Sequence, residues 1–296
     1  MPRRIALLVN PTAGKGRATH VVAKVAAELR ASDASVEILV GADAQDAVAI
    51  ARQQVELGVD ALVALGGDGM INLALQAVAG TSVPFGVIAA GTGNDLATAL
   101  GVPIGDPAAG ARQIAELLGG PGPRPMDAVR TEHGWFGCVL GVGFDSRVND
   151  RANRMSWPKG PSRYNLAILA ELRVFEPMPF VITIDGERIE TEAMLVAVGN
   201  APSYGAGIKV CPDAVIDDGL LDITIGGTMS KLEFLKIFPK VRAGGHRDHP
   251  AVRMLRGREV TIEATGVNAY ADGEYVGPLP LTCSVVPGAV QVLAPR

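Results

Sequence analysis

The stretch ALVALGGDGMINLAL, Ala61 to Leu75, decides the fold. Ala61–Leu65 is apolar without a polar alternation, so it reads as a strand buried on both faces. The run stops at Gly66-Gly67-Asp68-Gly69, and a helical pattern is expected from Ile71 to Ala79. Outward from it the same alternation repeats. Strands are expected at Ile5–Val9, Val36–Val40 and Phe85–Ala89, with helices at Ala18–Arg30, Ala44–Leu57, Asp95–Leu100 and Pro107–Leu118. Strand–helix alternation at this spacing implies a parallel sheet covered on both faces, whose ligands sit beyond the carboxyl ends of the strands.

Three of the four strands end in glycine-rich turns: NPTAGKG, GGDG and GTGND. Glycine lets backbone N–H groups approach an anion, and a following helix N-terminus adds a favourable dipole. NPTAGKG is not a Walker A motif: Val9 stands in place of its first glycine and Gly16 in place of its Ser or Thr. GTGND lacks the third glycine of a dinucleotide fingerprint, because Leu96 occupies that place, and Asp95 is also a fit helix cap. In GGDG, Asp68 as a mere cap would not need glycine at 66, 67 and 69; the bare backbone suits a bulky ligand. A carboxylate beside phosphates repels them unless a divalent cation lies between, so the stretch points to a magnesium–nucleotide.

The chain has 296 residues, 48% hydrophobic and 20% charged, enough for two domains or one large one. A net charge of −4 gives no reason to expect a nucleic-acid partner. Cys138, Cys211 and Cys283 form no CxxC pair, which argues against a disulfide framework or a cysteine zinc site and fits a reducing cytosol. The opening MPRRIALLVNP holds five apolar residues after two arginines, too few for a signal peptide, and reads as the first strand. No segment approaches the roughly 18 apolar residues of a membrane span. Any work on lipid is therefore expected from the membrane surface.

GGPGPRP, Gly119 to Pro125, reads as a linker. After it come short β-type runs at Trp135–Val142, Phe180–Ile184, Met194–Val198, Leu221–Ile225, Val260–Ala264 and Val285–Leu293. Helical insertions are expected near Arg163–Phe175 and Lys231–Val241. The architecture expected is a nucleotide-type α/β domain, residues 1–125, and a β-rich sandwich domain, residues 126–296, with the active site in the cleft between them and the last strand able to return to the first domain.

Together, NPTAGKG, GGDG and GTGND make the sequence resemble the diacylglycerol kinase catalytic-domain superfamily. That group includes bacterial soluble lipid kinases and sphingosine kinases, with NAD kinases and phosphofructokinases more distant. The shared motifs continue in order with GN at Gly199-Asn200, YGAG at Tyr204–Gly207, CPDAVIDDGLLDI at Cys211–Ile223 and ADGE at Ala271–Glu274. GFDSRVNDRANRMSWPKG, Gly143–Gly160, further resembles actinobacterial diacylglycerol kinases.

The resemblance implies a Rossmann-like first domain of the NAD kinase and diacylglycerol kinase type. It implies an ATP site lined by Asn10, Pro11, Thr12, Gly14, Lys15, Gly66, Gly67, Gly69, Thr92 and Asn94. Asp68 would act through a catalytic Mg2+, with Asp95 in the water network around it. Asp272 matches the general base, supported by Glu274, and Asp218 a structural Mg2+ ligand aided by the carbonyls of Val215 and Leu220. One departure stands out: Met70 occupies a position that is commonly Thr or Ser. From the residues alone, ADGEY and IDGER (Ile184–Arg188) are indistinguishable hairpin turns, and the DDG of Asp217–Gly219 reads equally as a surface turn or an oxygen-ligand metal loop.

The expected activity is ATP- and Mg2+-dependent phosphorylation of diacylglycerol to phosphatidic acid. The alternatives are another lipid alcohol such as a sphingoid base, a soluble metabolite such as NAD, or nucleotide binding without catalysis. Two basic stretches, Gly143–Arg163 and Lys236–Arg258, fit peripheral contact with an anionic membrane at its cytoplasmic face. Tyr164–Phe175, YNLAILAELRVF, is apolar almost all round, as for a core helix or the wall of a lipid pocket. A homodimer is compatible with these features.

Overall fold

A computed structural model describes residues 2–10, 17–155, 157 and 161–296, with the backbone alone for residues 17–19, 161, 162 and 165. The chain forms two compact units. The first comprises residues 1–128, 216–218 and 286–296; the second comprises 129–215 and 219–285.

In the first unit the chain runs β1 (Arg3–Val9), α1 (Arg17–Arg30), β2 (Ala34–Leu39), α2 (Ala44–Glu56), β3 (Ala61–Gly66), α3 (Asp68–Val78), β4 (Pro84–Ala89), α4 (Asp95–Ala99) and α5 (Pro107–Gly119). Helix starts follow local chemistry. The Asp43 side chain accepts the Asp46 N–H, and Asp106 accepts those of Ala108 and Ala109 with Pro107 just inside the helix. The strands are parallel in the order β4-β3-β1-β2. Every residue of β3 is buried, as its unbroken apolar run requires. Helix α1 packs on α5, and α2 on α3. The order turns about between β1 and β3, since β2 lies on one side of β1 and β3 on the other; their carboxyl ends mark the switch point.

β5 (Arg124–Thr131) leads into β6 (Gly134–Phe136), β7 (Val139–Gly143), α6 (Phe144–Arg154), α7 (Pro161–Val174), β8 (Met178–Ile184) and β9 (Glu187–Gly199). Then follow β10 (Leu221–Gly227), α8 (Lys231–Val241), β11 (Val252–Gly257), β12 (Glu259–Glu263), β13 (Asn268–Ala271), β14 (Glu274–Pro278) and β15 (Leu281–Val292). The second unit is antiparallel in the order β14-β13-β7-β9-β8-β12, with the start of β15 beside β12 and with β10 and β11 branching from β9. Phe180, Ile182 and Ile184 alternate into its core, as period-two patterning dictates. The end of β15 lies in the first unit, where Gln291 and Val292 pair in parallel with Pro84 and Phe85 of β4.

Four expectations need correction. α3 begins at Asp68 rather than Ile71, and the expected linker shrinks because α5 reaches Gly119 and β5 starts at Arg124. α6 was hidden in a basic stretch: Phe144, Val148 and Ala152 recur at four-residue spacing among arginines and asparagines. α7 carries apolar residues on most of its circumference yet is buried on one side only. Ala167 and Leu172 join a core cluster with Phe144, Phe175 and Phe234, while Leu166, Leu169 and Val174 face outward.

Candidate functional site

Val9 of β1 pairs with Leu65 of β3, so Asn10 leaves the sheet beside Gly66. Gly66 in turn pairs with Ala89, and the Ala90 N–H bonds the Gly66 carbonyl at 2.8 Å. The switch point thus gathers the ends of β1, β3 and β4. Asn10 and Thr92 are exposed there. Pro11, Thr12, Gly14 and Lys15 lie outside the described residues.

Asp68 does not cap its own helix. Gly67 is the N-cap of α3, and the Asp68 carboxylate reaches to α4, where Oδ2 accepts the Asn94 N–H and Oδ1 the Asp95 N–H, each at 2.8 Å. Burial pushes the Asp68 carboxyl above its ordinary value; the two amides oppose this, and the neighbouring Asp95 charge adds to it. Asn94, at φ 59°, spends its side chain on the turn, with Oδ1 accepting the Gly91 N–H and Nδ2 donating to the Gly91 carbonyl. Met70 lies in the first turn of α3, so no hydroxyl at that position could have served as the N-cap.

The glycines have an internal reason to be bare. A methyl at Gly91 would stand 2.4 Å from the Gly67 Cα, one at Gly93 2.2 Å from Asp68 Oδ2, and one at Gly66 2.6 Å from the Met70 Cβ. The GGDG and GTGND turns are packed backbone on backbone, and Asp68 is the clasp between them. Close approach of the chain to itself therefore accounts for Gly66, Gly67, Gly91 and Gly93 before any ligand is considered.

In the second unit Asp272 stands at φ 53° in the turn between β13 and β14. Its Oδ2 accepts the Gly137 N–H at 2.8 Å, and its Oδ1 those of Cys138 at 3.0 Å and Val139 at 3.1 Å. These amides turn to a carboxylate instead of a ladder partner, which is why the single strand expected over Trp135–Val142 is split into β6 and β7. From another element Asn200 grips the same peptides, its N–H on the Cys138 carbonyl and its Nδ2 on that of Gly137. A methyl at Gly199 would stand 2.6 Å from the Cys211 Cβ, so the GN, CPD and ADGE motifs converge around residues 137–139. Glu274 is exposed at the start of β14.

Asp185 in the IDGER turn is built alike. It stands at φ 48°, accepts the Arg258 N–H at 3.0 Å and the Glu259 N–H at 2.9 Å, and donates its own N–H to the Glu259 carbonyl. Backbone geometry does not separate the two turns.

Asp145, in the first turn of α6, was not singled out from sequence. Its carboxylate accepts the Tyr204 hydroxyl at 2.8 Å and covers Gly141, where a methyl would lie 2.3 Å from Oδ2. Desolvation pushes this carboxyl up to about 6, against the pull of Tyr204. A glycine four residues before an acid, Gly141 and Asp145, was the available signal. Nearby in sequence, Asp150 accepts the Tyr270 hydroxyl at 2.6 Å and lines a cavity of about 580 Å³ together with Arg151, Met155, Phe175 and Met178.

Asp218 is exposed in the DDG turn, with Gly219 at φ 72°; its neighbour Asp217 accepts from Arg124 Nη1 at 3.2 Å. Val215 is exposed and Leu220 half-buried. Among the described residues, no three His, Cys, Asp or Glu side chains form a ready-made metal cluster.

Comparison with known proteins matches residues 4–129 to the diacylglycerol kinase catalytic domain and residues 138–294 to the YegS C-terminal NAD kinase beta sandwich-like domain. A diacylglycerol kinase of Mycobacterium tuberculosis (strain ATCC 25618 / H37Rv) is 42% identical over 99% of this chain and 96% of its own length. One from Bacillus subtilis (strain 168) is 26% identical over 94% and 92%. A crystal structure of a diacylglycerol kinase from Bacillus anthracis str. Sterne shares the fold with TM-score 0.76 at 23% identity, covering 100% of this chain and 98% of that one.

Proposed function

The chain belongs to the diacylglycerol kinase family, and from that membership we infer that this lipid kinase transfers the γ-phosphoryl group of ATP to the hydroxyl of diacylglycerol, giving phosphatidic acid. The observation that carries the reading is that the similarity to the Mycobacterium tuberculosis diacylglycerol kinase runs through both units rather than the nucleotide-type half alone.

Phosphoryl transfer to an alcohol needs a held nucleotide, compensation for charge and an acceptor for the hydroxyl proton. The first unit supplies the nucleotide end. The N-terminal amides of α3 and the clasped glycine turns suit phosphates, with Asn10, Gly69 and Thr92 at the strand ends. Asp68 and Asp95 are a like-charged pair, one of them buried, and such a pair accepts a cation readily. Magnesium held by one or two carboxylates with phosphates and waters needs no larger protein cluster. When bound there it offsets the charge of the phosphates and of the leaving ADP. Asp218, with the Val215 and Leu220 carbonyls, offers the oxygen donors a second, structural magnesium prefers.

The second unit supplies the proton acceptor. The acceptor hydroxyl oxygen forms a bond to the γ-phosphorus, the bond from that phosphorus to the ADP oxygen breaks, and the hydroxyl proton passes to the Asp272 carboxylate, with Glu274 in support. The acceptor is taken from the cytoplasmic leaflet of an anionic membrane.

Purified protein, ATP and Mg2+ are incubated in parallel with diacylglycerol, a sphingoid base and NAD. Labelled phosphatidic acid is expected; label only in the sphingoid base or NAD reassigns the acceptor, and none in any of them removes the reading.

A further inference from the structure

Seven of the thirteen exposed large apolar side chains among the described residues lie within 157–174 or on α8. On α7, Leu166 and Leu169 follow one another on the outer face, Leu169 at 58% exposure, and Val174 ends the helix at 62%. On α8, Leu232 and Leu235 do the same at 64% and 45%. The two helices share one inner cluster, in which Ala167 and Leu172 meet Phe234 and Phe238, and Lys231 Nζ donates to the Arg173 carbonyl. Both therefore turn their second apolar face away from a common core.

The charges on these helices are lopsided. They carry Arg163, Arg173, Lys231, Lys236 and Lys240 against Glu171 and Glu233. Glu171 is consumed by Arg151, and Glu233 closes the capping box of α8 and meets His249. What faces outward is leucine and valine rimmed by cations. Outside these helices, other bases of the two expected stretches have partners in the chain: Arg147 donates to the Gly266 carbonyl, and Arg247 and Arg256 pair with Asp213 and Asp222.

We propose that the outer face of α7 and α8 is the surface by which this chain docks on an anionic lipid bilayer, its leucines entering the acyl boundary and its lysines meeting the headgroups. A bilayer whose surface is anionic and whose interior is apolar calls for both features together. The inference rests on the reading that the acceptor is a membrane lipid, and it names where the membrane is met. Trp157, four residues before α7 and 76% exposed, has the chemistry of an interfacial anchor.

The test is sedimentation of the full chain with vesicles of phosphatidylcholine, with and without phosphatidylglycerol, lacking diacylglycerol and ATP. Preference for the anionic vesicles is expected. The double substitution Leu169→Glu with Leu232→Glu should lower partition roughly ten-fold, as should Lys236→Glu with Lys240→Glu, while Leu57→Glu on the first unit changes nothing. Phosphorylation of vesicle-embedded diacylglycerol should fall in step, and that of a monomeric short-chain diacylglycerol should persist. Wild-type partition by both double variants, or equal binding to neutral and anionic vesicles, overturns the proposal. So does a concentration-dependent dimer dissolved by the leucine variant without vesicle binding, which gives the face to a second copy. Binding that behaves as expected while no lipid is phosphorylated instead overturns the acceptor reading and leaves the docking face standing.

Discussion

Three backbone N–H groups end on the half-buried Asp272 carboxylate and two exposed ones on that of Asp185, so removing Asp272 strands amides while removing Asp185 returns its amides to water. Asp272→Ala is expected to lower stability by about 1–3 kcal/mol and Asp185→Ala by less, read in thermal melts. Only Asp272→Ala should also cut turnover, by roughly 10²–10⁴ with ATP affinity kept, because it is the acid proposed to take the proton. Equal turnover losses in both would reduce Asp272 to a clamp. Asp145 gives a prediction of opposite sign. Its folded-state carboxyl is raised to about 6 from 3.8, so the folded chain holds a proton there that the unfolded chain has lost. The resulting penalty is absent below about pH 4 and complete above about pH 6. Asp145→Asn, which keeps an acceptor for Tyr204, should stabilise by about 1–2 kcal/mol at pH 7.5 and hardly at all at pH 4. A pH-independent change would show that the carboxyl is not desolvated.

Between the GGDG and GTGND turns the clearance is that of two bare backbones. Gly91→Ala drives a methyl into the Gly67 Cα, and a shift in either turn also moves Asp68. A loss of roughly 1–3 kcal/mol and weaker ATP binding are expected, measured by melting and nucleotide titration. Unchanged melting would mean the turns have slack. The same contact shows where the sequence stops being legible. The strand–turn–helix pattern of Ala61–Val78 is local and could be read directly. That Gly67 meets Gly91, and that Asp68 caps α4 instead of α3, depends on residues more than twenty positions apart, which periodicity cannot link. α6 escaped for another reason: three apolar residues in eleven are too few to announce a helix, though enough to seat it on α7. α7 announced itself as apolar almost all round, and only packing could show which half the core uses.

At the scale of the whole chain, the order of the motifs made the family resemblance legible, while no single turn did. The two-part architecture was readable as a change from helix–strand alternation to short β runs. The path of the backbone was less so, because neither unit is one continuous piece of sequence: residues 216–218 and 286–296 return to the first. The second return pairs Gln291 and Val292 with Pro84 and Phe85, places Leu293 in the first unit's core, and bonds the Gly288 N–H to Asp127 at 2.7 Å. On the ribosome, β4 therefore waits with one edge open while some two hundred residues are made, and the sheet of the first unit is closed only when almost all of the second exists. A chain broken off in between would leave β4's outer edge unpaired, a ready template for pairing with another chain.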